Sequence, residues 1–248
     1  TQQWQQMPSD SWVSIMTANN ETGVIQDLNK LIAECHARGI HFHTDAVQAL
    51  GKMDFSFRKL NLDMASLSSH KIYGPKGCGA LVVKNNTLIK ALQSGGNQEH
   101  ALRAGTENVA AIVGFGKAAE IAKQSMQQVQ TRLIHLRNYL QQELLKFENI
   151  HIFSAYAERL ANTVQFAIEN QQGEMLLMQL DQMGIAVSSG SACKAGSGSI
   201  SPVLSAMGIK PELAQSAIRI SLGKQNTEQQ IDQFIVALKT ITGHSYRG

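Results

Sequence analysis

Apolar and polar positions along the chain change their period several times, and each change marks an element. Trp12 to Ala18 reads as a strand ending at the polar turn Asn19-Asn20-Glu21-Thr22-Gly23. Asp27 can cap a helix that carries Leu28, Leu31, Ile32 and Cys35 at i, i+3, i+4 and i+7, with Gly39 as its stop. Further strands are predicted from Ile40 to Thr44, leading to Asp45, from Met64 to Ser68, and from Ala80 to Val83. Gln93 to Thr106 is a polar, glycine-containing loop, and Thr106 with Glu107 marks a helix start. A long helix follows, with Met126, Val129, Leu133, Leu136, Leu140 and Leu144 in one core-facing stripe.

After that helix the pattern shortens. Strands are predicted near Ile150 to Phe153, Thr163 to Ile168, Ile185 to Ser188 and Ala217 to Leu222. Helices are predicted near Glu174 to Met183 and Thr227 to Ile241, the second opened by a Thr227–Gln230 capping box. Strands alternating with helices argue for an α/β architecture with a mainly parallel sheet, followed by a small α+β domain. In such sheets ligands sit beyond the carboxyl ends of the strands. Asn20, Asp45 and Lys71 each fall just past one.

Composition narrows the function classes. The 248 residues are 43% hydrophobic and 17% charged, enough apolar material for a real core. A net charge of +3, without basic runs interleaved with aromatics, gives no argument for nucleic acid. No apolar run is long enough for a bilayer span, and TQQWQQMPSD does not read as a signal peptide. Three cysteines without CxxC spacing argue against a disulfide framework or a zinc site, and for a reducing compartment.

Four places carry candidate chemistry. In SLSSHKIYGPKG, Lys71 follows Ser68, Ser69 and His70 and precedes a glycine-rich turn. It is either an exposed strand-end lysine or an amine that condenses with the aldehyde of pyridoxal phosphate, whose phosphate the hydroxyls and imidazole suit. Asp45 is either a helix cap or a carboxylate for a protonated pyridine nitrogen, with Gln48 beside it for the phenolic oxygen. His41, His43 and Asp45 also share one strand face, a metal-ligand spacing, although alternating polar residues at a strand end more often just face water. In SSGSACKAGSG, Cys193 is a mobile nucleophile whose thiolate Lys194 favours, or an incidental exposed thiol. Arg219, between Ile218 and Ile220, binds a carboxylate or serves a structural ion pair. Cys35 reads as core, and Cys78 has no assigned role.

ANNETG, HTDAVQ, SLSSHKIYGPKG, RAGTENV, SSGSAC and IRISLG, in this order, resemble the cysteine desulfurases of the NifS/IscS type, in the class V aminotransferase superfamily. The resemblance runs from about Trp12 to the C-terminus. It implies a fold-type I, pyridoxal-phosphate-dependent, homodimeric, cytoplasmic enzyme that moves sulfur from L-cysteine to an acceptor such as an iron–sulfur scaffold. By resemblance, Lys71 is the Schiff-base lysine, Asp45 the pyridinium partner and Gln48 the phenolic-oxygen contact. Ser68 and His70 are phosphate ligands, Asn20 also lies at the cofactor, and Thr106 is a phosphate contact given to the other subunit; Cys193, Lys71 and His70 are the catalytic residues. Asn20 and Arg219 bind the substrate carboxylate, Cys193 becomes the persulfide, and no metal is implied.

The same resemblance makes residues 1–120 the remainder of a large cofactor domain, 121–148 a connecting helix and 149–248 a small domain with the cysteine loop. Asn97 and His100 depart from the usual glycine and arginine of the family. Family members carry a long further segment before the position of Trp12, with a phosphate-binding turn and a ring-stacking histidine. The chain is therefore expected to be the C-terminal part of such an enzyme. Two other outcomes are a catalytically silent fragment and a lyase acting on selenocysteine.

Overall fold

The computed structural model describes residues 6–189 and 200–243. It divides into two compact units, Thr1–Ala18 with Gln26–Met126, and Asn19–Ile25 with Gln127–Gly248.

The first unit holds a four-stranded sheet of β1 (Trp12–Ser14), β2 (His41–Asp45), β3 (Met64–Ser68) and β4 (Gly79–Val83), side by side in that order. The first three are parallel, and β4 returns antiparallel along β3. β1 is shorter than its sequence pattern predicts. Its chain still tracks β2 beyond Ser14, because the Ile15 and Thr17 N–H groups donate to the carbonyls of His43 and Asp45 at 3.1 and 2.9 Å. Helix α1 (Leu28–His36) supplies the crossover between β1 and β2. Its stripe of Leu28, Ile32 and Cys35 packs with Ile40, Phe42, Leu62 and Ala65 into one core. Full burial of a side chain the size of Phe42 is worth about 2–3 kcal/mol. Asp27 precedes α1 without capping it. Its ψ of 84° keeps the backbone short of the extended conformation that aims a cap side chain at the first turn. Gly39, at φ +69°, does end the helix, and the Ile40 N–H closes back on the Cys35 carbonyl at 3.0 Å.

One network at this core's edge has no sequence signal. Asp63, 6% exposed, accepts from the Phe42 backbone N–H and from His36 Nε2, both at 2.8 Å, with Lys84 Nζ at 3.7 Å. Burial alone would raise its carboxyl; those donors outweigh it and hold Asp63 below its ordinary value.

Helix α2 (Val109–Leu144) starts two residues later than Thr106–Glu107 predicts. The side chain that serves its first turn is Asn108, whose Oδ1 accepts from the Ala111 N–H at 3.2 Å.

The second unit is built on an antiparallel sheet of β5 (Ile150–Ile152), β6 (Thr163–Ile168), β8 (Ile218–Ser221) and β7 (Ser188–Ser189), in that spatial order. All six residues of β6 are buried, because both its faces are covered. Val164, Phe166 and Ile168 meet Leu133, Leu136, Leu140 and Leu144 of α2, together with α3 (Gly173–Gln182) and α6 (Glu228–Thr242). Ala167 faces a smaller cluster with Leu204 of α4 (Pro202–Ala206) and Ala214 of α5 (Pro211–Gln215). Helices α4 and α5 are too short to show a helical period, although each opens on proline. The Thr227–Gln230 capping box forms as expected, and Gly243 at φ +59° closes α6.

Candidate functional site

The carboxyl ends of β2 and β3 are adjacent, since Asp45 pairs with Ser66 in the parallel register. Beyond β2, Asp45 Oδ1 accepts from the Val47 N–H at 2.9 Å, which starts the turn carrying Gln48. Asp45 is exposed rather than buried, as the last residue of its strand. Gln48 is half-buried, and its Oε1 accepts from Lys52 Nζ at 2.5 Å.

Beyond β3 the chain makes a short 3₁₀ turn, Ser69–Ile72, which ends on Tyr73 at φ +65°. The Ser69 N–H donates to the Cys78 carbonyl and the Gly74 N–H to the Ser69 carbonyl, each at 3.1 Å. This closed turn buries Ser69 and Ile72 and leaves His70 and Lys71 exposed. Ser68 Oγ and His70 Nδ1 lie 2.9 Å apart, so the hydroxyl and imidazole are presented together. Asp45, Gln48, Ser68, His70 and Lys71 thus gather at two neighbouring strand ends of one unit. Thr106 is exposed on the loop before α2.

On the same face of β2 the two histidines are engaged by neighbouring strands. His41 stacks on Trp12 with ring centroids 4.8 Å apart. His43 Nδ1 lies 2.7 Å from Ser14 Oγ, and its Nε2 lies 2.9 Å from Ser66 Oγ. Burial lowers the His43 pKa, against the opposing pull of the Asp45 carboxylate. Among the described residues no group of three His, Cys, Asp or Glu is placed to hold a metal ion.

In the second unit Asn19 builds the 19–25 turn from within. Its Oδ1 accepts from the Glu21 and Thr22 N–H groups at 2.9 Å each, and its carbonyl from the Gly23 N–H at 3.0 Å. Gly23 sits at φ +77°, and a Cβ there would lie 3.0 Å from Thr163 Cβ. Asn20 is exposed at the tip, and its carbonyl accepts from Arg219 Nη1 at 3.1 Å. Arg219 is the half-buried residue of β8 between buried Ile218 and Ile220, so the sheet fixes its stem. The structure therefore brings Asn20 and Arg219 together. Cys193 and Lys194 lie outside the described residues. Cys35 is core, as expected, and burial raises its thiol pKa.

Sequence reasoning missed Glu21. An acidic residue inside a polar turn gives no sign of burial, yet Glu21 is 5% exposed and bonded to Ser201 and Gln165.

Residues 3–234 match the family model of class V aminotransferases, and the chain belongs to that family. It is 43% identical to the cysteine desulfurase IscS of Methanosarcina thermophila over 229 residues, 92% of this chain and 57% of that protein. It is 44% identical to a cysteine desulfurase of Gluconacetobacter diazotrophicus, with the same shares. Among solved structures, a NifS-like protein from Rickettsia africae superposes with a TM-score of 0.88 at 37% identity, over 94% of this chain and 62% of that one. DndA from Streptomyces lividans superposes with a TM-score of 0.69 at 32% identity, over 85% of this chain and 60% of that one. The chain thus spans about 57% of the length of these curated relatives. Its architecture is that of the fold-type I pyridoxal-phosphate enzymes, and the family's cofactor is pyridoxal phosphate. The donors of the first unit suit that group: a carboxylate for a pyridinium, an amide for a phenolic oxygen, a hydroxyl–imidazole pair for a phosphate and an amine for an aldehyde. No helix among the described residues is long and apolar enough to cross a membrane.

Proposed function

We propose that the chain is the part of a cysteine desulfurase that holds pyridoxal phosphate, the substrate carboxylate and the sulfur-accepting cysteine. The observation that carries this reading is the gathering of Asp45, Gln48, Ser68, His70 and Lys71 at the ends of β2 and β3 in a class V chain. Lys71 would hold the cofactor through its amine, Asp45 its ring nitrogen, Gln48 its phenolic oxygen, and Ser68 and His70 its phosphate. Thr106 would add a phosphate contact to the second subunit of a homodimer. When bound, pyridoxal phosphate supplies an electron sink that stabilises negative charge on the substrate carbon skeleton.

The chain's own residues do the rest. Arg219 and Asn20 fix the carboxylate of L-cysteine and so set its orientation. Lys71 Nζ would accept and return protons at the substrate. The Cys193 thiolate attacks the substrate sulfur; the sulfur–carbon bond breaks as the sulfur–sulfur bond forms. The carbon skeleton takes up a proton and leaves as L-alanine. The balance is one thiol plus L-cysteine giving one persulfide plus L-alanine. The outer sulfur of the persulfide then passes to a thiol of an acceptor such as an iron–sulfur scaffold in the cytoplasm, and Cys193 returns as the thiol.

The test uses the full-length protein that contains this chain. Added pyridoxal phosphate gives a visible absorbance band that Lys71→Ala removes, and L-cysteine yields alanine together with sulfide, which an added dithiol releases by reducing the Cys193 persulfide. Cys193→Ser keeps the band and loses sulfide release; normal sulfide release by Cys193→Ser would overturn the mechanism. Turnover of selenocysteine without turnover of cysteine would make the protein a lyase instead.

A further inference from the structure

We infer that Glu21 is a positioning residue for the carboxylate site of Asn20 and Arg219, an inference that rests on the functional reading above. Asn20 and Glu21 share one peptide unit, and both of its polar groups are held. Its N–H donates to Asn19 Oδ1 at 2.9 Å, and its carbonyl oxygen accepts from Arg219 Nη1 at 3.1 Å. The Glu21 side chain adds a further anchor between that peptide and the rest of the unit. Its Oε2 accepts from Ser201 Oγ at 2.5 Å and from Gln165 Nε2 at 3.4 Å.

Both donors are fixed. Gln165 is fully buried on β6 and is the register partner of Arg219 on β8. Ser201 is 3% exposed and caps α4, accepting from the Leu204 N–H at 3.2 Å. One carboxylate therefore ties the Asn20 peptide to the strand beside Arg219 and to the first turn of α4. Burying a carboxylate is costly unless its oxygens are hydrogen-bonded. Holding the turn alone does not require that cost, since Asn19 already closes it with its own side chain and carbonyl. The added task of Glu21 is to set where the Asn20 carbonyl meets the guanidinium, and so how Arg219 is oriented toward a ligand carboxylate.

The experiment compares Glu21→Ala, Glu21→Gln and Glu21→Asp in the full-length protein loaded with pyridoxal phosphate. Sulfide release from L-cysteine gives KM and kcat, and inhibition by L-alanine reads carboxylate binding without sulfur chemistry. Glutamine keeps an oxygen acceptor at the same reach, whereas alanine has none and aspartate falls one methylene short. Losing a buried hydrogen-bonded anchor corresponds to about a tenfold effect on binding. Glu21→Ala and Glu21→Asp should therefore raise KM and the L-alanine inhibition constant together by about that factor. Their kcat should change less, and Glu21→Gln should stay near wild type. Glu21→Asp, the smaller change, carries the test if Glu21→Ala does not fold. Wild-type KM in a folded Glu21→Ala or Glu21→Asp, or a fall in kcat alone, overturns the inference. A wild-type protein that releases no sulfide overturns the functional reading, and this inference with it.

Discussion

His43 Nε2 lies 2.9 Å from Ser66 Oγ, across the parallel pair of β2 and β3. With Ser14 Oγ at 2.7 Å from its Nδ1, both ring nitrogens face hydroxyls on neighbouring strands. The ring thus pins three strands in the row directly below Asp45. Burial holds its pKa below the ordinary 6.5. A base with a lowered folded pKa binds its proton more readily when unfolded. Its contribution to stability is therefore complete above about pH 6.5 and is lost as pH falls from there through the folded value. Denaturant unfolding between pH 7.5 and 5 should show stability falling in the wild type. His43→Gln, which can still bond both serines, should fall less steeply. Parallel curves for the two proteins would remove His43 from this account.

Gly74 is where the Lys71 turn leaves no room. A Cβ there would lie 2.2 Å from Ser69 Oγ and 3.0 Å from Ala118 Cβ. Both neighbours are buried, so neither yields cheaply. Gly74→Ala should destabilise by about 1–3 kcal/mol through overpacking, and should disturb the Ser69–Ile72 turn that presents Lys71. Gly116, inside α2, is the control, since a Cβ added there would meet nothing within 4 Å. Gly116→Ala should stabilise by about 0.5–1 kcal/mol, because glycine is a poor helix former. Opposite shifts in the melting temperatures check both.

What is legible in the sequence is what depends on local pattern. The Met64–Ser68 and Thr163–Ile168 strands, the Leu133–Leu144 stripe and the Thr227 capping box have the positions their periods predict. Asp27 has the residue type of a cap and does not cap, because a residue type says nothing about the backbone angle that aims its side chain, and Thr106 lies outside the first turn of a helix that starts at Val109. The five-residue α4 and α5 are shorter than any window that reveals a period. Asp63 and Glu21 are invisible for a different reason. A buried carboxylate is defined by partners far along the chain, such as Phe42 for Asp63 and Ser201 for Glu21. Order and spacing of motifs group Asp45 with Lys71, and Asn20 with Arg219, where no local period can.

Tyr139 on α2 donates its hydroxyl to Asp232 Oδ1 of α6 at 2.5 Å. That hydrogen bond, more than the partial burial or the other nearby carboxylates, pushes the phenol up to about 12 from an ordinary 10. Tyr139 should therefore ionise above the ordinary range of a phenol. Asp232→Asn removes the carboxylate and should bring its midpoint back toward 10. Ring carbon shifts of labelled tyrosine, followed against pH, would record the change; an unmoved midpoint would detach the shift from Asp232.

The carboxylate-binding role proposed for Arg219 is open to a direct test. Arg219 lies on β8 between buried Ile218 and Ile220, and one of its nitrogens donates to the Asn20 carbonyl. A planar guanidinium can hold that carbonyl and still present a paired edge to a carboxylate; an ammonium cannot hold both in fixed geometry. Arg219→Lys in the full-length enzyme should raise KM for L-cysteine by roughly 10- to 100-fold, with a smaller fall in kcat. Cysteamine, the same thiol amine without a carboxylate, separates recognition from chemistry. The wild type should prefer L-cysteine strongly, and Arg219→Lys should narrow that preference by lowering only the L-cysteine value of kcat/KM. An undiminished preference in the lysine variant would leave Arg219 a structural arginine, held for the Asn20 turn alone.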